Sequence, residues 1–267
     1  MHYYDQHLHT YFSFDSTEQF ENYLTHQSEY FVSTEHFDLK NPGSQFQDEI
    51  PDYHAYQKKL ADLSERFDTR FLSGIEIGVV PGQEEQIIAY LEQHPYDLKL
   101  VSIHQNGKYC YMGDSVLQKD KFAVAKEYFE QMATVLDTFH EGQVLTHFDY
   151  GLRRLDFTVA ELQQFEGLLT QIFKKVIALD MAFELNGKSF LKYNNAHLYH
   201  YAVPLYQSVG GKLFTLGSDG HSAPDYQNGF VEMATLLKEQ QVNELVVFQG
   251  NERYFTPLPL LKKAATY

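Results

Sequence analysis

Six of the thirteen histidines in this 267-residue chain stand at the ends of short apolar, strand-like runs, each beside another residue type that binds metals. The pieces are DQHLH at 5–9, STEH at 33–36, GIEIG at 74–78, SIH at 102–104, THFD at 146–149 and SDGH at 218–221. Histidines kept for packing have no reason to recur at that position. A barrel of parallel strands does supply a reason, because the C-terminal ends of its strands converge on one face.

The rest of the chain fits such a frame. Strand-like runs fall at about 3–8, 31–34, 70–77, 98–103, 143–148, 182–186 and 212–217, with a weaker one at 245–248. Stretches of helical period lie between them, at 17–30, 53–67, 119–140, 159–177, 196–209 and 226–239. Ser16 with Gln19, and Thr158 with Glu161, have the spacing of capping boxes. Gly210–Gly211 reads as a helix stop. The apolar stripes, such as Tyr56, Leu60, Leu63 and Phe67, are core faces that pack on a sheet. Repeated strand–helix units predict an α/β fold with parallel strands and right-handed crossovers. With no linker, repeat or low-complexity tract, residues 1–267 are expected to form one domain.

Residues two apart on a strand share a face, so His7 and His9 can bind one ion together. Asp219 and His221 repeat that geometry. Glu76 sits inside an apolar strand, where an unpaired carboxylate is costly, and a metal ion is a ready partner. His104 and His147 each end a strand-like run. All these ligands are nitrogen or oxygen, which favours Zn, Mn or Fe(II) over thiolate-rich sites. So many candidates imply two or three ions close together. Clustered divalent ions point to hydrolysis, since they acidify a shared water and neutralise a phosphoryl oxygen.

Composition narrows the partners. The formal net charge of −15 disfavours nucleic acid, whose affinity rests on Lys and Arg neutralising phosphates. A single cysteine, Cys110, excludes an internal disulfide framework and suits a reducing compartment. The N-terminus lacks the pattern of a signal peptide, and no run has the length of a membrane helix. A soluble, cytoplasmic protein with no membrane partner is expected.

The order of motifs resembles the PHP family (polymerase and histidinol phosphatase). That order is HxH, then Asp15, then Glu35–His36, a strand glutamate, two strand-end histidines, and Ser-Asp-Gly-His, and it spans residues 5–221. HFDYGLRRL at 147–155 is similar to a segment of the stand-alone histidinol-phosphate phosphatase branch. The resemblance implies a distorted (β/α)7 TIM-like barrel, with the metal site at the C-terminal ends of the strands and the run 245–248 outside it. It implies three ions: one on His7, His9, Glu76 and Asp219; one on Glu76, His104 and His147, with Glu76 bridging; one on Asp15, His36 and His221. Many relatives carry a histidine where this chain has Asp15.

The implied activity is hydrolysis of L-histidinol phosphate to L-histidinol and phosphate in histidine biosynthesis, by attack of a metal-bridging hydroxide. Glu76, Asp219, Arg153 and Arg154 are the expected catalytic group, with Arg154 slightly favoured as the phosphate contact because Arg offers paired donors. Expected substrate contacts are Arg153, Arg154, Asn186, Lys188 and Glu35, with Lys188 or Lys192 standing in for a family arginine near Leu191. A phosphodiesterase or a phosphotyrosine phosphatase on the same metals is the alternative. An amidohydrolase-type barrel also opens with HxH, but it needs a bridging lysine where this chain has Glu76.

Overall fold

The computed structural model describes residues 2–26 and 28–259. Its centre is a curled, mostly parallel seven-stranded sheet in a mixed α/β fold. The strands are β1 (Tyr30–Asn41), β2 (Gln47–Glu49), β3 (Arg70–Gly78), β4 (Leu98–Ser102), β5 (Val144–Leu145), β6 (Ala182–Asn186) and β7 (Phe214–Gly217). Their order is β2-β1-β3-β4-β5-β6-β7, and only the β1–β2 pair is antiparallel. The helices are α1 (Phe20–Tyr23), α2 (Tyr53–Arg66), α3 (Glu84–Gln93), α4 (Lys121–Thr138), α5 (Val159–Leu162), α6 (Glu166–Ala178), α7 (Gly187–Leu191), α8 (Ala196–Ser208) and α9 (Phe230–Glu239). β8 (Glu244–Gln249) and β9 (Glu252–Pro257) form a separate antiparallel hairpin. The run at 245–248 therefore lies outside the main sheet.

A sheet buried on both faces has strands that read as nearly continuous apolar runs. Here the alternation sorts the exceptions inward. Ile75 and Ile77 flank Glu76, and Phe183 and Leu185 flank Glu184, all fully buried. Phe183 packs on Phe173 and Tyr206 of the surrounding helices, while the two glutamates both reach His7.

Residues 3–8 do not form the regular strand expected of them. One bridge, Leu8 to Gly220, marks their course. The segment nevertheless links β1 to the residues that follow β7: His9 N donates to Gly220 O, Asp219 N to His7 O, and Thr34 N to Leu8 O. Asp5 replaces part of the ladder, because its carboxylate accepts from the backbone of His7, Ser218 and Gln227.

Other boundaries differ from expectation. Among the described residues of the stretch 17–29, the helical parts are α1 and one 3-10 turn, Leu24–His26, and β1 begins at Tyr30. Ser16 caps no helix, since its hydroxyl donates to His221 O instead. β1 runs to Asn41 and not to 34, because Glu35, His36 and Asp38 interrupt the apolar run without interrupting the pairing to β3. α3 was not expected, although Ile87 and Leu91 bury its inner stripe and Glu84 and Glu85 occupy its first turn. Residues 159–177 divide into α5, a 3-10 turn and α6; the Thr158–Glu161 capping box is present. Among the described residues, no helix is long and apolar enough to cross a membrane.

Candidate metal centre and active site

Strand register assembles the centre. β1 pairs with β3 so that His36 lies beside Glu76. The two oxygens of Glu76 then meet five histidines. Oε1 is 3.1 Å from His104 Nε2 and 2.8 Å from His147 Nε2, and accepts from Ser102 Oγ at 2.7 Å. Oε2 is 3.0 Å from His36 Nδ1 and 3.4 Å from both His7 Nε2 and His9 Nε2. These last three contacts are close but not aligned as hydrogen bonds. His7 Nε2, His9 Nε2, His36 Nδ1 and Glu76 Oε2 are all buried without a hydrogen-bond partner.

Four buried, orphaned ligand atoms around one point are expensive in a metal-free protein. They are what a cation needs. Two ligand atoms on a tetrahedral ion with bonds of about 2.1 Å lie about 3.4 Å apart, and the spacings around Oε2 match that. The ligand atoms fall into four overlapping groups: His7–His9–Glu76, His36–Glu76–His104, His7–His147–Asp219 and His9–His36–His221. The residues present therefore fit divalent ions. These groups also bring His36 to Glu76 and His104, through the β1–β3 register, and His147 to His7 and Asp219. Glu76 Oε1 at the same time lies near both His104 Nε2 and His147 Nε2. Asp15, at the third expected position, faces both its partners, with Oδ1 3.6 Å from His36 Nε2 and Oδ2 2.9 Å from His221 Nε2.

Electrostatics agree with the geometry. Burial pushes the Glu76 carboxyl up, but His7, His104 and His36 outweigh it and hold it well below the usual range. Burial likewise opposes ionisation of Asp219, and Lys188 and Arg153 overcome it. His9 is held low by burial, then by the neighbouring His36 and His221; burial also lowers His147. Both are thus neutral, as nitrogen ligands must be. Three go the other way: burial lowers His104, but Asp38 and Glu76 raise it to about 9, and against burial His7 is raised by Glu184 and Glu76, and His36 by Glu76 and Asp15. A metal there has a proton to displace.

Two carboxylates not recognised in the sequence orient these rings. Glu184 accepts from His7 Nδ1 at 2.6 Å and from the His147 backbone N at 2.9 Å. Asp38 lies 3.0 Å from His104 Nδ1. Such partners fix the tautomer and strengthen the ligand. Glycine makes each contact sterically possible. A Cβ at Gly217 would lie 2.4 Å from Glu184 Oε1, and one at Gly78 would lie 2.0 Å from Asp38 Oδ1. Glu184 carried the same signal as Glu76, a carboxylate inside an apolar strand.

A cavity of about 460 Å³ opens onto the cluster. Arg153 lines it, buried, and donates to Asp219 Oδ2 at 3.1 Å, Asn186 Oδ1 at 2.8 Å and Ser189 Oγ at 3.0 Å. Its guanidinium sits 5.0 Å from the ring centres of both Tyr150 and Tyr193. Lys188, at the start of α7, also lines the cavity and donates to Asp219 Oδ1 at 3.0 Å. Asn186 is fully buried behind Arg153 and caps α7 through Ser189 N; it supports the cation and does not line the cavity.

Two of the expected substrate contacts point away from the cavity. Arg154 turns outward, donating to Met112 O and to the exposed Asp114, because the 3-10 turn Tyr150–Leu152 aims Arg153 and Arg154 apart. Glu35 is fully buried, and its carboxylate accepts from Thr10 Oγ1, Ser13 Oγ and Thr10 N. On a strand, the neighbour of an inward His36 must face the other side.

The model of the PHP domain family matches residues 5–188. The chain belongs to the PHP domain family. Among curated proteins, this PHP domain is 28% identical to a histidinol-phosphatase of Lactococcus lactis, over 92% of this chain and 94% of that protein. It is 24% identical to a probable histidinol-phosphatase of Thermotoga maritima, over 91% and 94% of the two chains. Its fold is similar to the crystal structure of a histidinol phosphate phosphatase from Lactococcus lactis complexed with Zn, L-histidinol and phosphate. The TM-score is 0.82 at 25% identity, covering 94% of this PHP domain and 98% of that chain.

Proposed function

We propose that this chain is a metal-dependent phosphomonoesterase that hydrolyses L-histidinol phosphate to L-histidinol and phosphate in histidine biosynthesis. One observation carries the reading: orphaned nitrogen and oxygen ligand atoms converge around Glu76, beside a cavity lined by a buried arginine and two lysines. The named relatives, similar over more than nine-tenths of the chain, agree with it.

We assign two or three divalent ions, Zn, Mn or Fe, to His7, His9, Asp15, His36, Glu76, His104, His147, Asp219 and His221, with Glu76 shared. When bound, such ions supply hydroxide at neutral pH and neutralise charge on the phosphoryl group. Arg153 has its Nη1 donors to offer a phosphoryl oxygen, while its Nε and Nη2 contacts with Ser189, Asn186 and Asp219 hold it in place. Lys188 adds a point charge from the opposite side of Asp219. Neither a serine nor a cysteine nucleophile is needed.

The finer architecture follows. Counting residues 3–8 with β1, β3, β4, β5, β6 and β7 makes seven parallel segments, and we read the fold as one distorted (β/α)7 domain. The enzyme's place is the cytoplasm, and its net charge of −15 suits a small monoester over nucleic acid.

The test is phosphate release from L-histidinol phosphate, p-nitrophenyl phosphate and a dinucleotide diester, with Mn or Zn and with chelator. A kcat/KM for histidinol phosphate several orders of magnitude above the others, abolished by chelator, is expected. Equal slow rates on both monoesters would refute the substrate, and preference for the diester would refute the monoesterase class.

A further inference from the structure

A second cavity, about 450 Å³, adjoins the first and shares Asp15, His36, His104, Met112 and Tyr150 with it. The ligand residues they share thus lie between two lobes that differ in their cations. The first carries Arg153, Lys188 and Lys192. The described lining of the second holds Asp15, Asp38 and Glu49 and no lysine or arginine.

Two of those acids are already engaged. Asp38 holds His104, and Asp15 faces His36 and His221. Glu49 is not. It comes from β2, the one antiparallel strand of the sheet, whose register sets it directly beside Asp38. Like charges at paired positions of neighbouring strands repel, and a cation between them removes the penalty. Glu49 is also aimed. Asn41 Nδ2 donates to it at 2.5 Å, while Asn41 Oδ1 is occupied by Gly43 N and Cys110 Sγ, so the amide has one orientation. The exposed ring of Phe14, 5.2 Å from that of His36, forms a flat wall at the entrance.

We propose that Glu49 is a specificity-determining residue, which receives the cationic end of an amino-alcohol phosphate while the phosphate lies against Arg153 and Lys188. The proposal rests on the phosphomonoesterase reading and deepens it. L-Histidinol phosphate has the matching polarity, a dianion at one end and an ammonium with an imidazole at the other. The bipolar pocket then selects by charge separation, and a neutral alcohol ester forgoes half of the contacts.

The experiment compares the metal-loaded full chain with its Glu49→Gln variant on L-histidinol phosphate and p-nitrophenyl phosphate. L-Histidinol serves as an inhibitor in parallel, and a thermal melt checks folding. The expected result is a roughly 10- to 100-fold fall in the ratio of the two kcat/KM values. It should be carried by KM for the amino-alcohol ester, with a matching rise in the Ki of L-histidinol. A ratio that holds while both rates fall would make Glu49 a structural support of Asp38, and an unchanged enzyme would exclude the contact; either overturns the proposal. A wild-type enzyme without preference for L-histidinol phosphate would instead overturn the substrate reading, and the subsite with it.

Discussion

Replacing Glu184 with glutamine leaves the side chain's shape intact and changes what one atom can do. Glu184 Oε2 accepts from His147 N at 2.9 Å and from Asn186 Nδ2 at 3.1 Å. Asn186 cannot turn over, because its Oδ1 already accepts from Arg153 and Ser189 N. The glutamine oxygen must therefore take the Oε2 position, and its NH2 must face His7 Nδ1 across a gap that is now 2.6 Å. His7 Nδ1 becomes an acceptor, and its proton moves to Nε2, the atom facing Glu76 and the expected ion. Either the hydrogen bond or the metal bond has to be given up. Loss of such an orienting partner weakens metal binding by roughly 10- to 100-fold, or about 1.4–2.8 kcal/mol. The assay strips the protein with chelator and titrates Zn or Mn against a competing chromophoric chelator, with activity followed in parallel. The midpoint should shift by that factor, while kcat at saturating metal stays within about threefold of wild type. An unshifted midpoint in a folded variant would refute the tautomer argument.

Arg153→Met should lower kcat/KM by about 10²- to 10³-fold at saturating metal, as removal of one charge-stabilising donor does. Arg154→Ala should cost less than about threefold, since its guanidinium faces Met112 O and Asp114; the reverse ranking would mean that the wrong arginine has been assigned. Glu76→Gln should leave the fold intact but reduce metal content, read by elemental analysis after dialysis, because the carboxylate is common to two of the four ligand groups; full occupancy would sink the shared-ligand assignment. Chelator-treated protein should lose stability as pH rises through His104's folded value of about 9. The raised histidine stabilises fully below its ordinary 6.5, and the difference is on the order of 3 kcal/mol. Urea midpoints at about pH 6 and about pH 10 measure it, and a flat profile, or the same slope in His104→Asn, would contradict it.

Much of the centre was legible in the chain because metal-binding residue types at strand ends are a local signal. His7, His9, Glu76, His104, His147, Asp219 and His221 each announce themselves within a few residues, and parallel strands carry such ends to one face. What stayed hidden depends on direction and pairing. Glu35 looked available because the apolar run stops at 34; the strand continues, and alternation turns it into the protein beside Thr10. Arg153 and Arg154 are adjacent and chemically identical, and one short 3-10 turn sends one to Asp219 and the other to Asp114. Asp38 and Glu49 are ordinary acids in the sequence, and Glu184, although set in an apolar strand like Glu76, gives no hint of its partner. Their partners lie 177 residues away for Glu184 and His7 and 66 for Asp38 and His104, and register across β1, β2, β3 and β6 decides those meetings. Residue type and period, being local, set which groups can bind metal and which strand ends hold them. Which carboxylate orients which ring, which arginine lines the cavity, and where a second lobe opens are long-range properties, and only the packed sheet determines them.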